Sequence, residues 1–346
     1  MLLEGLFLPL TTPFYGDGRV YLRKLEHNAE RYSRTQAAGL ALLTANGEAE
    51  RLNDAERREV LTVAAAATAD TVMLLADISH AAVRESLRLA EAAAAAAYDV
   101  VLMKVPVGAP AEQRLYLQAV ADGSALPVVV VEEERELPLE ALLGLAQHPG
   151  VIGCVTRRGG TEVRQLLAET TMVKRDVTVT PVFAAVTGRM LRQKAAPEPA
   201  GNFVAAETLT GGVVVLSPLP PVTAVPAIRT RTRTVGFQVL AGATEGSLEA
   251  LRAGAKGTMQ PFAVCAPQAC YEVLQAWKDE DEPLADEKYA RVLAGARRIE
   301  GELGCAGIKA ACDLTGYFGG SPRLPGTPVR GDELRELEQL MRGMRS

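Results

Sequence analysis

Val151-Ile152-Gly153-Cys154-Val155 is an unbroken apolar run set between Pro149-Gly150 and Arg157-Arg158-Gly159-Gly160. It is too short for a helix, shows no polar alternation and is bounded by turn formers, which is how a strand buried on both faces of a parallel sheet reads. Runs of the same kind recur at Gly5 to Leu10, Leu40 to Thr44, Val72 to Asp77, Val100 to Val105, Pro127 to Val131, Phe237 to Ala241 and Gly257 to Gln260. With the first they make eight, the number that closes a barrel of alternating strands and helices.

The intervening sequence has helical apolar spacing and good helix formers at Leu22 to Arg34, Asp54 to Ala69, Ala81 to Ala97, Glu112 to Asp122 and Leu139 to Gln147, with Asn53 and Asp54 placed to cap the second. From Ala266 onward no strand pattern remains; Cys270 to Lys278, Leu284 to Glu302, Ile308 to Leu314 and Asp332 to Arg345 read as helices joined by Gly/Pro turns. The expected fold class is α/β, a (β/α)8 TIM barrel over residues 1–265 followed by a helical segment over 266–346. An insertion at about 170–234 separates the sixth and seventh strands. It holds a strand-like Val177 to Val182, an apolar Gly211 to Leu216, the prolines 218, 220, 221 and 226, and a basic run Arg229 to Arg233. It reads as a βα excursion with a Pro-rich surface linker and a solvated basic edge.

Composition narrows the function classes. The chain has 346 residues, 48% hydrophobic but 5% aromatic, and a net charge of −5. No stretch joins basic density to aromatics, so nucleic acid is not expected as a partner. Five widely spaced cysteines without a CxxC pair fit reduced thiols in a cytoplasmic protein. The apolar start lacks a basic leader and is broken by Glu4, Gly5 and Pro9, and the alanine tract Ala92 to Ala97 is too short to span a bilayer, so no membrane partner is expected. His27, His80 and His148 are scattered, and the consecutive Glu132, Glu133 and Glu134 cannot all face one ion, so neither a metal site nor a cofactor is expected. That acidic trio reads as a solvated rim.

The segments Leu8-Pro9-Leu10-Thr11-Thr12-Pro13-Phe14, Asp17-Gly18, Gly47-Glu48, Leu126-Pro127-Val128, His148 to Gly153, Phe237-Gln238-Val239-Leu240 and Gly316-Tyr317-Phe318-Gly319-Gly320 together resemble the dihydrodipicolinate synthase and N-acetylneuraminate lyase family. The resemblance covers nearly the whole chain. It implies a class I aldolase scaffold, commonly a tetramer of tight dimers. It also implies a sixth-strand lysine that condenses with a keto acid, a fifth-strand tyrosine that relays protons, hydroxyls after the second strand, and a fourth-strand tyrosine that reaches the neighbouring subunit.

Carried onto this chain, the lysine falls on Val155 within Gly153-Cys154-Val155-Thr156, and the relay tyrosine on Val131 within Val131-Glu132-Glu133-Glu134. The inter-subunit tyrosine falls on Val107 within Val105-Pro106-Val107-Gly108. The Gly-Thr-Thr-Gly-Glu motif becomes Thr44-Ala45-Asn46-Gly47-Glu48, which removes one hydroxyl at Ala45 and leaves Asn46 as a carboxylate donor. Aliphatic carbon thus replaces reactive groups at four strand ends, and no catalytic residue is expected by the family mechanism.

The sharpest alternative is Lys104, which interrupts Val101-Leu102-Met103-Lys104-Val105; it is either a relocated amine with a pKa depressed by burial or the partner of Glu132 or Glu133. Glu48 reads as a structural hydrogen-bonding group. Asp77, Ser79 and His80 follow the third strand but are too close in sequence to form a triad, and Cys154 reads as a small buried apolar residue. Arg157 and Arg158, beside Gly159-Gly160, form a candidate anion loop, so the ligand-binding candidates are Asn46, Gly47, Glu48, Arg157 and Arg158. The expectation is a catalytically degenerate member that binds a small keto acid or other small anion, or serves as a subunit in a homodimer, a homotetramer or a hetero-oligomer with an active relative. The alternatives are an active lyase built on Lys104 and, with little behind it, a metal-dependent barrel enzyme.

Overall fold

The structure is a computed structural model that describes residues 1–192 and 229–344. Its strands, in chain order, are β1 (Gly5–Pro9), β2 (Gly39–Leu42), β3 (Met73–Asp77), β4 (Val100–Lys104), β5 (Val128–Val131), β6 (Val151–Thr156), β7 (Arg175–Val179), β8 (Arg231–Val235), β9 (Gln238–Ala241) and β10 (Gly257–Thr258). All but β7 and β8 close into one barrel in the order β1-β10-β9-β6-β5-β4-β3-β2, with parallel pairing throughout. The eight runs expected from sequence are the barrel strands. Closure between first and last depends on glycine: Gly5 pairs with Gly257, and a Cβ on Gly257 would lie 2.0 Å from the Gly5 carbonyl oxygen.

Alternation along each strand divides the side chains into two cores. Phe7, Met73, Leu75, Leu102, Val129, Val131, Val155 and Leu240 point into the barrel. Leu6, Leu8, Leu74, Val101, Met103, Val130, Cys154 and Val239 point outward, under the helices. Those helices are α1 (Leu22–Tyr32), α2 (Asp54–Ala67), α3 (Val83–Ala95), α4 (Pro110–Gly123), α5 (Leu139–Ala146), α6 (Gly160–Glu169), the short α7 (Gly188–Arg192) and α8 (Ser247–Arg252). Asn53 caps α2 as expected, its side chain accepting the Glu56 N–H at 2.9 Å while Glu56 accepts the Asn53 N–H at 3.0 Å. After the barrel come α9 (Pro267–Lys278), α10 (Glu282–Ala296), a π-helical turn over Arg297–Glu302, α11 (Gly304–Leu314) and α12 (Gly331–Arg342). Among the described residues no helix is long and apolar enough to cross a membrane.

The insertion corrects the sequence reading. Arg231 and Arg233 belong to strand β8, which pairs antiparallel with β7 from Arg175↔Val235 to Val179↔Arg231, so the basic run, though largely exposed as expected, is an edge strand and not part of a linker. The hairpin packs Val177 and Val179 on Leu2. Arg175 donates from one guanidinium nitrogen to the carbonyls of Ala146 (2.8 Å), His148 (2.9 Å) and Val151 (2.8 Å). Gly188 N–H donates to Asp99 at 2.7 Å, and Arg189 reaches the carbonyls of Ala69 and Val72. These partners open a barrel strand or lie within the five residues before one, so the insertion covers the amino-terminal end of the barrel, opposite the face where this fold places its ligand sites. The apolar Gly211 to Leu216 and the prolines 218 to 226 lie outside the described residues.

Candidate functional site

Three side chains sit at one level of the carboxyl end of the barrel. Lys104 is in register with Val131, and Val131 with Val155. The two valines are 6% and 2% exposed and belong to the interior core. Val155 presses on the loop after β9 so closely that a Cβ on Gly242 would lie 2.9 Å from its Cγ1. The residue carried over as the lysine position therefore lines the barrel interior, as does Val131.

Lys104 faces the mouth beside them, its ammonium 3.0 Å from Glu133. This selects Glu133, not Glu132, from the two partners expected. Asp77, at the end of β3, accepts hydrogen bonds from the Ser79 N–H at 2.9 Å and from the Ser79 hydroxyl, whose oxygen accepts the Lys104 N–H at 2.8 Å. Burial opposes charge on Lys104, but the carboxylates of Asp77, Glu133 and Glu50 outweigh it and the amine is pushed up to about 12. The depressed pKa expected of a relocated nucleophile is thus reversed, because the charges of Asp77 and Glu133, with a smaller contribution from Glu50, favour the ammonium. Burial pushes Asp77 above the usual carboxylate range.

Two cavities meet here. A cleft of about 520 Å³ opens over the ends of β3, β4 and β5, with Ser79, His80, Lys104, Tyr116 and Glu133 in its wall. Within the barrel lies a pocket of about 30 Å³, lined by Thr44, Asn46, Asp77, Lys104, Glu133 and Val155 among others. It is roughly the share of one water molecule.

The other sequence candidates are placed apart and are bonded within the protein. Asn46 donates to the carbonyls of Pro9 at 2.9 Å and Pro261 at 3.0 Å, tying the loop after β2 to the ends of β1 and β10. Gly47 packs so closely on Leu10 and Thr12 that a Cβ there would lie 3.2 Å from the Thr12 hydroxyl. Glu48, in a left-handed conformation, is buried and accepts from Arg51 and from the Arg323 N–H, and its other oxygen pairs with Lys309. Ala45 and Val107 are exposed.

Arg158 is not an open anion donor. It makes a two-pronged pair with Glu132, both bonds at 2.8 Å, and also reaches the Leu137 carbonyl. Glu132 further accepts from the Thr156 hydroxyl at 2.8 Å and the Leu137 N–H at 2.9 Å. Instead of a solvated rim, Glu132 is 1% exposed and clamps β5 to β6. Of the proposed anion pair only Arg157 is exposed. Cys154 is buried on the helix side of β6, where burial pushes its thiol well up. His80 accepts the Ala82 N–H at 3.2 Å and stands in the cleft wall. Among the described residues no histidine, cysteine and carboxylate group is arranged to hold a metal ion.

Two residues that the sequence reading missed wire the mouth to the terminal helices. Lys309 of α11 is fully buried, pairs with Glu48, donates to the Thr12 carbonyl at 2.9 Å and lies 4.3 Å from the Phe14 ring centre. Glu300, in the π-helical turn, accepts from the Thr244 N–H (3.1 Å) and hydroxyl (2.7 Å) and from the Phe262 N–H (3.1 Å). The signal for Lys309 was the one used for Lys104, a lysine interrupting an apolar run, here Gly307-Ile308-Lys309-Ala310-Ala311.

The dihydrodipicolinate synthetase family model matches residues 2–179, slightly more than half of the chain and including β1 to β6. The chain belongs to that family. A 4-hydroxy-tetrahydrodipicolinate synthase of Methanothrix thermoacetophila is 24% identical over 99% of this chain and 97% of its own length. An L-threo-3-deoxy-hexylosonate aldolase of Hypocrea jecorina is 23% identical over 97% of this chain and 91% of its own. Among solved structures, a putative dihydrodipicolinate synthetase from Pseudomonas aeruginosa superposes with a TM-score of 0.75 at 20% identity, covering 99% of this chain and all of that one. The resemblance read from the motifs is therefore family membership, and the barrel is that of other dihydrodipicolinate synthetase family members.

Proposed function

We propose that this protein is a member of the dihydrodipicolinate synthetase family that does not form imines and acts instead as a binder of a small ligand, or as a subunit beside an active relative. The observation that carries this is the level Lys104-Val131-Val155. At the position carried over from the family lysine stands a valine, and the amine in register with it is held as an ammonium by Glu133 and Asp77. The surrounding carboxylates raise the pKa of Lys104 to about 12, above that of an ordinary lysine, which favours the ammonium over the free amine that imine formation needs. Oligomerisation, as a homodimer, homotetramer or mixed assembly, belongs to the same proposal.

A second reading has one observation in its favour: Lys104 faces the same small pocket that Val155 lines. In that reading the protein is an active lyase or aldolase on a keto acid, with Lys104 as its amine.

Borohydride reduction in the presence of pyruvate separates the two. The expected outcome is an unchanged intact mass. An adduct mapped to Lys104 and lost in Lys104→Ala supports the second reading, and an adduct on any lysine of the barrel mouth overturns the first.

A further inference from the structure

The basic run from Arg229 to Arg233 has no part in the barrel mouth. It leads into β8, and β7 and β8 form a sheet of two strands, so each has one side without a strand neighbour. The free side of β7 is taken up at its carboxyl end by the returning chain, through the bridge Val179↔Ala185 and the bond from the Thr180 N–H to the Ala184 carbonyl at 2.8 Å. Along β8 there is no such cover: among the described residues its backbone bonds only to β7, and Arg231, Thr232 and Thr234 are exposed. It pairs over five residues without a bulge or a proline, so its outer edge is a straight row of N–H and C=O groups that can take another strand.

The side chains decide which strand. Opposed residues of an antiparallel pair share a face, which sets Arg231 and Arg233 beside Val179 and Val177 and leaves Thr232 and Thr234 with Thr178 and Asp176 on the other. Arg233 is already met by a carboxylate, that of Glu4 at 2.9 Å. Arg231 lies 5.7 Å from the Phe183 ring centre and, like the exposed Arg229, has no acidic partner among the described residues. A second copy of β8 is a poor match, since antiparallel pairing of two such strands about their centre sets Arg233 against Arg233. Asp176 on the neighbouring strand and the net charge of −5 disfavour a phosphate chain.

We propose that β8 is a docking edge for an extended acidic segment of another protein, which adds to the sheet as a third strand with alternate carboxylates turned toward Arg229 and Arg231. Main-chain bonds supply the attachment and the arginines select the sign of the partner's charge. The Glu4–Arg233 pair is the same contact made within the chain. The inference does not depend on what the barrel mouth binds, because the hairpin closes the opposite end.

The test probe is a fluorescent peptide that alternates glutamate with threonine and is long enough to span residues 229–235. Anisotropy titration is expected to show saturable binding, weakened by salt. Affinity is expected to fall at least about tenfold in Arg229→Glu/Arg231→Glu and to return in that variant when lysine replaces glutamate in the peptide. Arg229→Gln/Arg231→Gln serves if the charge reversal does not fold. N-methylation of alternate peptide amides separates strand addition from loose charge attraction. One methylated set is expected to abolish binding and the other to preserve it, because only every second N–H of an added strand faces β8. No binding at millimolar peptide, equal loss under both methylation patterns, undiminished binding to the charge-reversed variant, or tighter binding of polyuridylate than of the peptide overturns the proposal.

Discussion

Lys104 and Lys309 each interrupt an apolar run, and burial acts on them with opposite results because of what surrounds them. Lys309 is fully buried with one carboxylate, Glu48, and the face of Phe14, and desolvation lowers its pKa. Lys104 keeps a fifth of its side chain in solvent and is met by several carboxylates, which raise it. Removing one member of a buried pair strands the other charge, so Lys309→Met is expected to cost about 3–5 kcal/mol, read as a lower urea midpoint. The double variant Glu48→Gln/Lys309→Met is expected to recover much of that loss, because no charge is then left uncompensated. A single variant as stable as the wild type would show that the Glu48–Lys309 pair does not hold α11 to the loop after β2.

At the level of elements, the insertion has the clearest structural role. The β7–β8 hairpin and α7 close the amino-terminal end of the barrel, and Arg175 ties them to three backbone carbonyls around the start of β6. Hydrogen bonds from a charged donor contribute about 1.5–3 kcal/mol each, with sharing and alternative hydration reducing the sum. Arg175→Met is therefore expected to destabilise the protein by on the order of 3 kcal/mol in thermal unfolding and to leave ligand binding at the opposite end unchanged. The barrel strands were legible because burial on both faces writes itself as an apolar run. Strand β8 was not, because Arg231, Thr232 and Thr234 are exposed and its one recognisable feature, alternating arginine and threonine, reads equally as loop. Helix α6 escaped notice for a related reason: it begins at Gly160, inside a stretch that resembles an anion loop.

For the whole molecule, family and fold were readable from motifs spread along the chain, while the wiring of the mouth was not. Glu132 and Arg158 are 26 residues apart and become partners only because β5 and β6 are neighbours in the barrel. Glu300 reaches Thr244 across 56 positions from a π-helical turn that local propensity does not announce. The result is a barrel end at which Lys104 is paired with Glu133 and Arg158 with Glu132. Since the folded state holds the Lys104 proton more tightly than the unfolded chain, its contribution to stability is complete below about pH 10 and is lost as the pH rises towards 12. Competitive acylation of Lys104 across a pH series, quantified by peptide mass spectrometry, measures that proton directly. The expected outcome is a side chain still unreactive at pH 10, with its midpoint above that of ordinary surface lysines; reactivity that rises with a midpoint near pH 7 would mark Lys104 as a free amine and contradict the assignment of this mouth to binding without imine chemistry.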